Sequence, residues 1–334
     1  MEFSFAKKMV FRALSENSRA SISEIAGMAK CSRITASRLV SQVEKEFGLV
    51  YTLDLNLQAL GLWQLHVIAL NFAKMPSEDV LRSKFANDTT AQLVAMTKGD
   101  FDLLVIAVSK SGSAYMRWET ALAYSLAEYK PQLRPSQIAF MHIGFIPIDN
   151  ALLETLEPGK GLDSLDKQIL LELNKNSRIQ YRELAKKLQA NENTVRYRFS
   201  RLARAGIINA FTAIATKPPI SYSIAMFVNY TFAPGTEQRA RKAREIYMGV
   251  GEPLQVQNNF NLLAPSSGSY RFFTIETFED EKEALEKGVG MQKRVFKEDR
   301  PVVTYAHIEK LIKGMLPIRN IDIAKHYNVV RWED

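Results

Sequence analysis

Three features of the 334-residue sequence predict an α+β fold built twice over. The phrase LSENSRASISEIA (Leu14–Ala26) returns as LNKNSRIQYRELA (Leu173–Ala185), 159 positions on. Each phrase lies in a run of short amphipathic segments closed by a β-prone stretch. The longer stretch after each run alternates between strand-like and helix-like patterning in the order βαββαβ. The expected architecture is two copies of a winged helix-turn-helix, each followed by a ferredoxin-like α/β domain. The expected boundaries are a first winged helix at 1–58 and a first α/β domain at 59–148. A linker at 149–161, a second winged helix at 162–217, a second α/β domain at 218–312 and an extension at 313–334 complete the chain.

The repeat outruns the quoted phrase without a gap. Thr35 matches Thr194, Ser41 matches Ser200 and Val43 matches Leu202. One extra residue, Phe47, then precedes Gly48-Leu49-Val50, which matches Gly206-Ile207-Ile208. The join, ETLEPGKGLDSLD, carries Pro158, Gly159 and Gly161, which is linker chemistry.

In the second copy, Asp166–Asn174 has apolar residues at helical spacing, with Asp163, Ser164 and Asp166 placed to cap it. Asn176-Ser177-Arg178 breaks the pattern. Gln180–Leu188 is a second short helix with Leu184, Ala185 and Leu188 inward. Asn191 caps a third helix that Gly206 ends. On it, Val195, Phe199 and Leu202 form the buried stripe. Asn193, Thr194, Arg196, Tyr197, Ser200, Arg201 and Arg204 face out. IINAFTAIAT then reads as a β wing. In the first copy the third helix buries Ala36, Val40 and Val43 and turns out Arg33, Thr35, Ser37, Arg38 and Gln42.

The α/β elements come in order. Leu62–Phe72 reads as a strand, Ser77–Asn87 as a helix, and Ala91–Met96 with Phe101–Val108 as a hairpin around TKGD. Ser113–Tyr129 reads as a helix, and Pro135–His142 leads into a strand. The second copy repeats this at Tyr222–Phe232, Glu237–Tyr247, Leu254–Leu262, Tyr270–Thr277, Asp280–Arg294 and Val302–Ile308.

Composition narrows the function. The chain is 46% hydrophobic and 24% charged, ordinary for a globular protein. No apolar run reaches the roughly 20 residues of a membrane span, and the first residues lack a secretion-signal pattern. The single cysteine, Cys31, forbids an intrachain disulfide and a cysteine-built zinc site, and suggests a reducing cytoplasm. No two of His66, His142, His307 and His326 lie at metal-ligand spacing, and no phosphate-binding glycine loop is present, so no cofactor or metal is expected. The net charge of +8 divides as +2 over 1–58, −1 over 59–161, +6 over 162–217 and +1 over 218–334. The excess sits where the repeated phrases sit. Double-stranded DNA is a natural partner for such segments, and the outward arginines, asparagine and threonine suit base and phosphate contact. A solvated basic helical hairpin, or a winged helix turned to protein contacts, is the plainer alternative.

The second copy resembles the leucine-responsive regulator/AsnC family of transcription factors. Leu162-Asp163 with Asp166, Asn176-Ser177-Arg178, Glu183-Leu184-Ala185, Thr194-Val195, Arg198, Arg201-Leu202 and Gly206-Ile207-Ile208 carry the likeness, over about 50 residues. The resemblance implies a βαββαβ domain, often called RAM, that pairs subunits and binds effectors such as amino acids. Family members tend to carry Thr-Gly-x-Tyr-Asp between the second and third strands. Here Thr97-Lys98-Gly99-Asp100-Phe101-Asp102 comes close, so Gly99, Asp100 and Asp102 are candidate effector residues. Ser267-Gly268-Ser269-Tyr270-Arg271 keeps Gly268 but replaces the aspartate with Arg271. Both stretches also read as ordinary hairpin turns.

The reading is thus a sequence-specific DNA-binding regulator, not an enzyme, acting as a covalent pseudo-dimer, with the second head contributing most of the affinity. Effector gating and further pairing of chains through the α/β domains stay open. Two alternatives remain. One is a tetrapyrrole enzyme like the siroheme decarboxylases, drawing on His66, His142 or His307. The other is a sensor or assembly protein without DNA binding.

Overall fold

The computed structural model describes residues 5–138, 143–144, 146–157, 162–217, 222–231, 234–235, 238, 260–268, 270–316 and 318. In chain order the elements are α1 (Phe5–Glu16), α2 (Ile22–Met28), α3 (Arg33–Phe47), β1 (Leu49–Leu55), β2 (Gln64–Phe72), α4 (Glu78–Phe85), β3 (Ala91–Gly99) and β4 (Leu103–Ser109). Next come α5 (Gly112–Ser125), β5 (Pro131–Ile138), β6 (Ile143–Gly144), α6 (Asn150–Thr155), α7 (Ser164–Lys175), α8 (Tyr181–Lys187), α9 (Glu192–Arg204) and β7 (Ile208–Ala215). The last are β8 (Tyr222–Asn229), β9 (Phe260–Gly268), β10 (Phe272–Phe278), the helix α10 and β11 (Val302–Lys313). Helix α10 joins Glu281–Glu283, a π-helical stretch Ala284–Val289 and Gly290–Val295.

The chain divides into two compact units. Among the described residues, the first gathers those within 1–62, 146–219 and 316–318, and the second those within 63–145 and 220–315.

In the first unit, short helices are started by side chains that satisfy their free N–H groups. Ser21 and Glu24 form a capping box on α2, and Asp163 and Asp166 form another on α7. The Ser32 and Asn191 side chains accept from the N–H groups of Thr35 and Asn193 at the starts of α3 and α9. Gly48 ends α3 at φ +56°, and a Cβ there would stand 2.5 Å from Thr216 Oγ1. Ala36, Leu39, Val40 and Val43 of α3 are buried, as are Val195 and Leu202 of α9.

The expected β wing is a strand. Within the stretch IINAFTAIAT, Ile208–Ala215 forms β7, which pairs antiparallel with β1, and Leu53 faces Phe211 in the ladder. Ser18 and Ser177, both fully buried, share a hydrogen bond of 2.7 Å. Phe199, expected in the buried stripe, is half-buried and stacks on Phe211 with centroids 4.9 Å apart.

The expected linker holds a short helix. Asp149 caps α6, and Leu152 and Leu153 are buried. Pro158, Gly159 and Gly161 lie outside the described residues. The extension is expected from residue 313, but β11 itself runs to Lys313, and Ile318 is buried against the winged-helix core with its carbonyl accepting from Ala215 N.

Among the described residues of the second unit, eight strands close into a ring, and β6 pairs on β9 beside it. The order of the ring is β10-β8-β11-β3-β4-β2-β5-β9, and β9 pairs again with β10. Within it, β5-β2-β4-β3 and β11-β8-β10-β9 each carry the ferredoxin-like strand order. The two sheets join where β3 meets β11, with Gly99 facing Ala306, and where β5 meets β9, with Ser136 facing Gly268. Closure removes strand edges that would otherwise invite aggregation. Helices α4 and α5 cover Ile68, Leu70, Val94, Leu103 and Val105, and α10 covers Ile224, Met226 and Phe278. Apart from Gln238, the expected helix Glu237–Tyr247 lies outside the described residues, as does most of Leu254–Leu262. Strand β5 starts at Pro131, four residues before the expected Pro135, and the expected continuation through His142 is also outside them.

Candidate nucleic-acid interface

A winged helix reads DNA with the N-terminal residues of its third helix. On α9, Asn193, Thr194, Arg196, Tyr197 and Arg204 are exposed, as expected. Arg196 pairs with Glu192 at 2.6 Å and lies over the Tyr181 ring at 4.6 Å. Arg204 donates to the Ser200 carbonyl at 3.3 Å.

Arg201 departs from expectation. It binds the Asp166 carboxylate, which is fully buried at the start of α7. Arg198 binds Asp163 and reaches Asp166 at 3.3 Å. The hydrogen bond from Arg198 holds the Asp163 carboxyl below the usual carboxylate range. These two arginines tie α9 to α7. A buried carboxylate needs that charge beside it, so Arg201 serves the fold at Asp166.

On α3, Arg33, Ser37 and Arg38 are exposed, and neither arginine enters an ion pair among the described residues. Thr35 is half-buried, and its hydroxyl shares a 2.9 Å hydrogen bond with Ser32. It therefore completes the helix cap. Ile34, which the sequence pattern does not single out because it lies off the apolar stripe, is 86% exposed.

The two helical sets grip one another through the repeated turn. Arg19 donates to the carbonyls of Ser177 at 2.6 Å and Ile179 at 2.8 Å. Its guanidinium lies 5.1, 5.0 and 5.4 Å from the rings of Tyr181, Phe199 and Phe211. Burial lowers its pKa. Arg178, at the matching position, donates to Glu44 and to the Tyr51 hydroxyl at 3.2 and 3.0 Å. The periodicity of the sequence does not mark these contacts, although the repeated Asn-Ser-Arg does.

Of the expected effector residues, Gly99 and Asp100 lie where β3 meets β11, Gly268 where β5 meets β9, and Asp102 beside the end of β2. Gly99 adopts φ +146°, and a Cβ there would stand 2.7 Å from the Tyr305 carbonyl oxygen. Asp100 accepts from Tyr305 N and Asp102 from Phe72 N, each at 2.9 Å. Gly268 ends β9 opposite Ser136. The histidines are packed on tyrosines. His66 stacks on Tyr115 at 3.5 Å, and burial pushes its pKa down to about 4. His307 stacks on Tyr222 at 4.1 Å, with Nδ1 3.0 Å from the Ser223 carbonyl. His142 lies outside the described residues. Among those residues no group of three or more His, Cys, Asp or Glu is placed to hold a metal, and no helix is long and apolar enough to cross a membrane.

Residues 162–209 match the family model described as winged helix-turn-helix DNA-binding. A helix-turn-helix-type transcriptional regulator of Pyrococcus abyssi is 30% identical over 122 residues, which are 36% of this chain and 76% of that protein. The leucine-responsive regulatory protein of Escherichia coli K12 is 32% identical over 127 residues, 36% of this chain and 77% of that protein. The chain belongs to the leucine-responsive regulatory protein family. Membership in the leucine-responsive family accords with a mixed helix and sheet fold, and with DNA-binding regulation as the work of the winged helix. The siroheme decarboxylase NirDL aligns over 96% of both chains with a TM-score of 0.57 at 12% identity, a likeness of fold.

Proposed function

We propose that this chain is a sequence-specific transcriptional regulator in which a duplicated winged helix and α/β domain make a covalent pseudo-dimer on DNA. One observation carries the reading: Ser18 and Ser177, equivalent in the repeat, touch each other. Equivalent residues meet directly only on a two-fold axis. The strand ladder agrees, because Leu53 and Phe211 are also equivalent once Phe47 is counted as an insertion, and they face each other. The axis relates two reading helices of unequal chemistry. The fold uses much of the formal charge on α9, while Arg33 and Arg38 on α3 are uncommitted. The heads therefore contribute more evenly than the segment charges suggest, to an imperfectly palindromic site. An amino-acid effector at Gly99–Asp102 would have to displace the bonds that Asp100 and Asp102 accept from Tyr305 N and Phe72 N.

The test is fluorescence anisotropy on a labelled duplex from upstream of the protein's own gene, with excess random DNA, across a salt series. Binding that survives competitor, with log affinity falling several units per log salt, supports the regulator. No binding even at low salt rejects it. The NirDL likeness spans both halves of the chain and so favours a second reading, a tetrapyrrole enzyme. A Soret band after mixing with an iron tetrapyrrole tests that one.

A further inference from the structure

We infer that Ile34 is a specificity residue of the first reading head and that it recognises the 5-methyl group of thymine. The inference rests on the DNA-binding reading and names a group on the DNA that the head reads. Ile34 is 86% exposed, more than any other large hydrophobic side chain among the described residues. It is the second residue of α3, the end that meets base edges in a winged helix. The Thr35 hydroxyl beside it is turned back onto Ser32, which leaves Ile34 as the side chain at the tip. Around it Arg33, Ser37 and Arg38 are all exposed. One aliphatic group within a polar, cationic rim does not suit an apolar protein surface. It suits a groove walled by phosphates that offers one apolar spot. On the major-groove edge that spot is the thymine methyl, and isoleucine has no donor or acceptor with which to read anything else.

The matching position on α9 is Asn193, also exposed. An amide there pairs with adenine N6 and N7. The two tips therefore ask for different bases at corresponding places, one by apolar contact and one by hydrogen bonds.

The experiment begins with the full chain and a random duplex library, from which bound sequences are enriched. The enriched duplex is remade with each thymine replaced singly by deoxyuridine, which removes only the methyl. One substitution in one half-site is expected to weaken binding about fourfold, the factor for one buried methyl-sized group. Ile34→Ala, at a solvent-exposed site, is expected to bind the thymine and uracil duplexes equally, and Ile34→Val to keep part of the difference. Uracil tolerated at every position, or a uracil penalty that persists in Ile34→Ala, overturns the inference while the DNA-binding reading stands. A chain that enriches no sequence overturns both.

Discussion

Ser18 and Ser177 sit 159 residues apart and share one hydrogen bond between two buried hydroxyls, 2.7 Å oxygen to oxygen. Each is the other's counterpart in the repeat. Removing one hydroxyl strands the other away from water, at about 1–3 kcal/mol. Removing both leaves nothing unsatisfied. Ser18→Ala and Ser177→Ala are each expected to lower stability by about 1–2 kcal/mol. The double variant should lie well short of their sum. Urea unfolding of the four proteins closes this cycle, and additive losses would mean that the hydroxyls do not interact.

The arginines separate by duty. Arg201 neutralises the buried Asp166, so Arg201→Ala is expected to lose roughly 1–3 kcal/mol of stability. That is less than for a fully buried pair, because Arg201 is partly exposed and Arg198 remains nearby. Arg38→Ala should leave stability within about 0.5 kcal/mol and lower the salt slope of DNA binding by about one. Thermal melts and salt titrations on both variants give opposite patterns if the assignment is right. Equal effects on DNA would return Arg201 to the interface.

What the sequence discloses here is what local chemistry encodes. The caps Asp163 and Asn191, the glycine stops and the apolar stripes act within a few residues, and the helices appear where those signals stand. The strand order of each α/β domain follows from alternation and short turns. The partner of β7 is hidden, because a β-rich stretch reads alike whether it folds on itself or on β1. Arg201 faces outward on a helical wheel, but its partner Asp166 lies 35 residues upstream, across a helix contact that periodicity does not report. Ile34 is hidden for the opposite reason: an exposed aliphatic looks like an ordinary interruption of a polar face.

Glu276 gives the α/β unit a pH signature. It is 1% exposed, opposite Ile224 in the layer that α10 covers, with Thr274 donating to it. Burial raises its pKa from about 4.5 to about 8. The folded state thus holds a proton that the unfolded chain releases above its lower pKa. Stability from this group is full below about pH 4.5, declines as pH rises through the interval and is lost above about pH 8. His66 acts in the opposite sense between about pH 4 and 6.5, where the unfolded chain binds the proton and the folded one does not. Glu276→Gln is therefore expected to flatten the decline between about pH 6.5 and 8.5 and to gain on the order of 1–3 kcal/mol over the parent at about pH 8.5. Unfolding midpoints across that range measure it, and parallel curves would refute a buried neutral carboxyl.

Gly99 decides between a ligand turn and a structural junction. Its φ of +146° strains any other residue, and a Cβ would meet the Tyr305 carbonyl oxygen at 2.7 Å and Ala306 Cα at 2.9 Å. Ala306 is held in the β3–β11 ladder and the Tyr305 carbonyl accepts from Asp100 N, so neither can yield without breaking the junction. Gly61 makes the control, with φ +77° and nothing within 4 Å of an added methyl. Gly61→Ala is expected to cost about 1 kcal/mol from backbone strain alone, and Gly99→Ala roughly 2–4 kcal/mol from strain and overlap together. Denaturant titration reads the difference. If the glycine served only ligand approach, Gly99→Ala would instead fold with the stability of Gly61→Ala, and only a response of DNA binding to added amino acids would change.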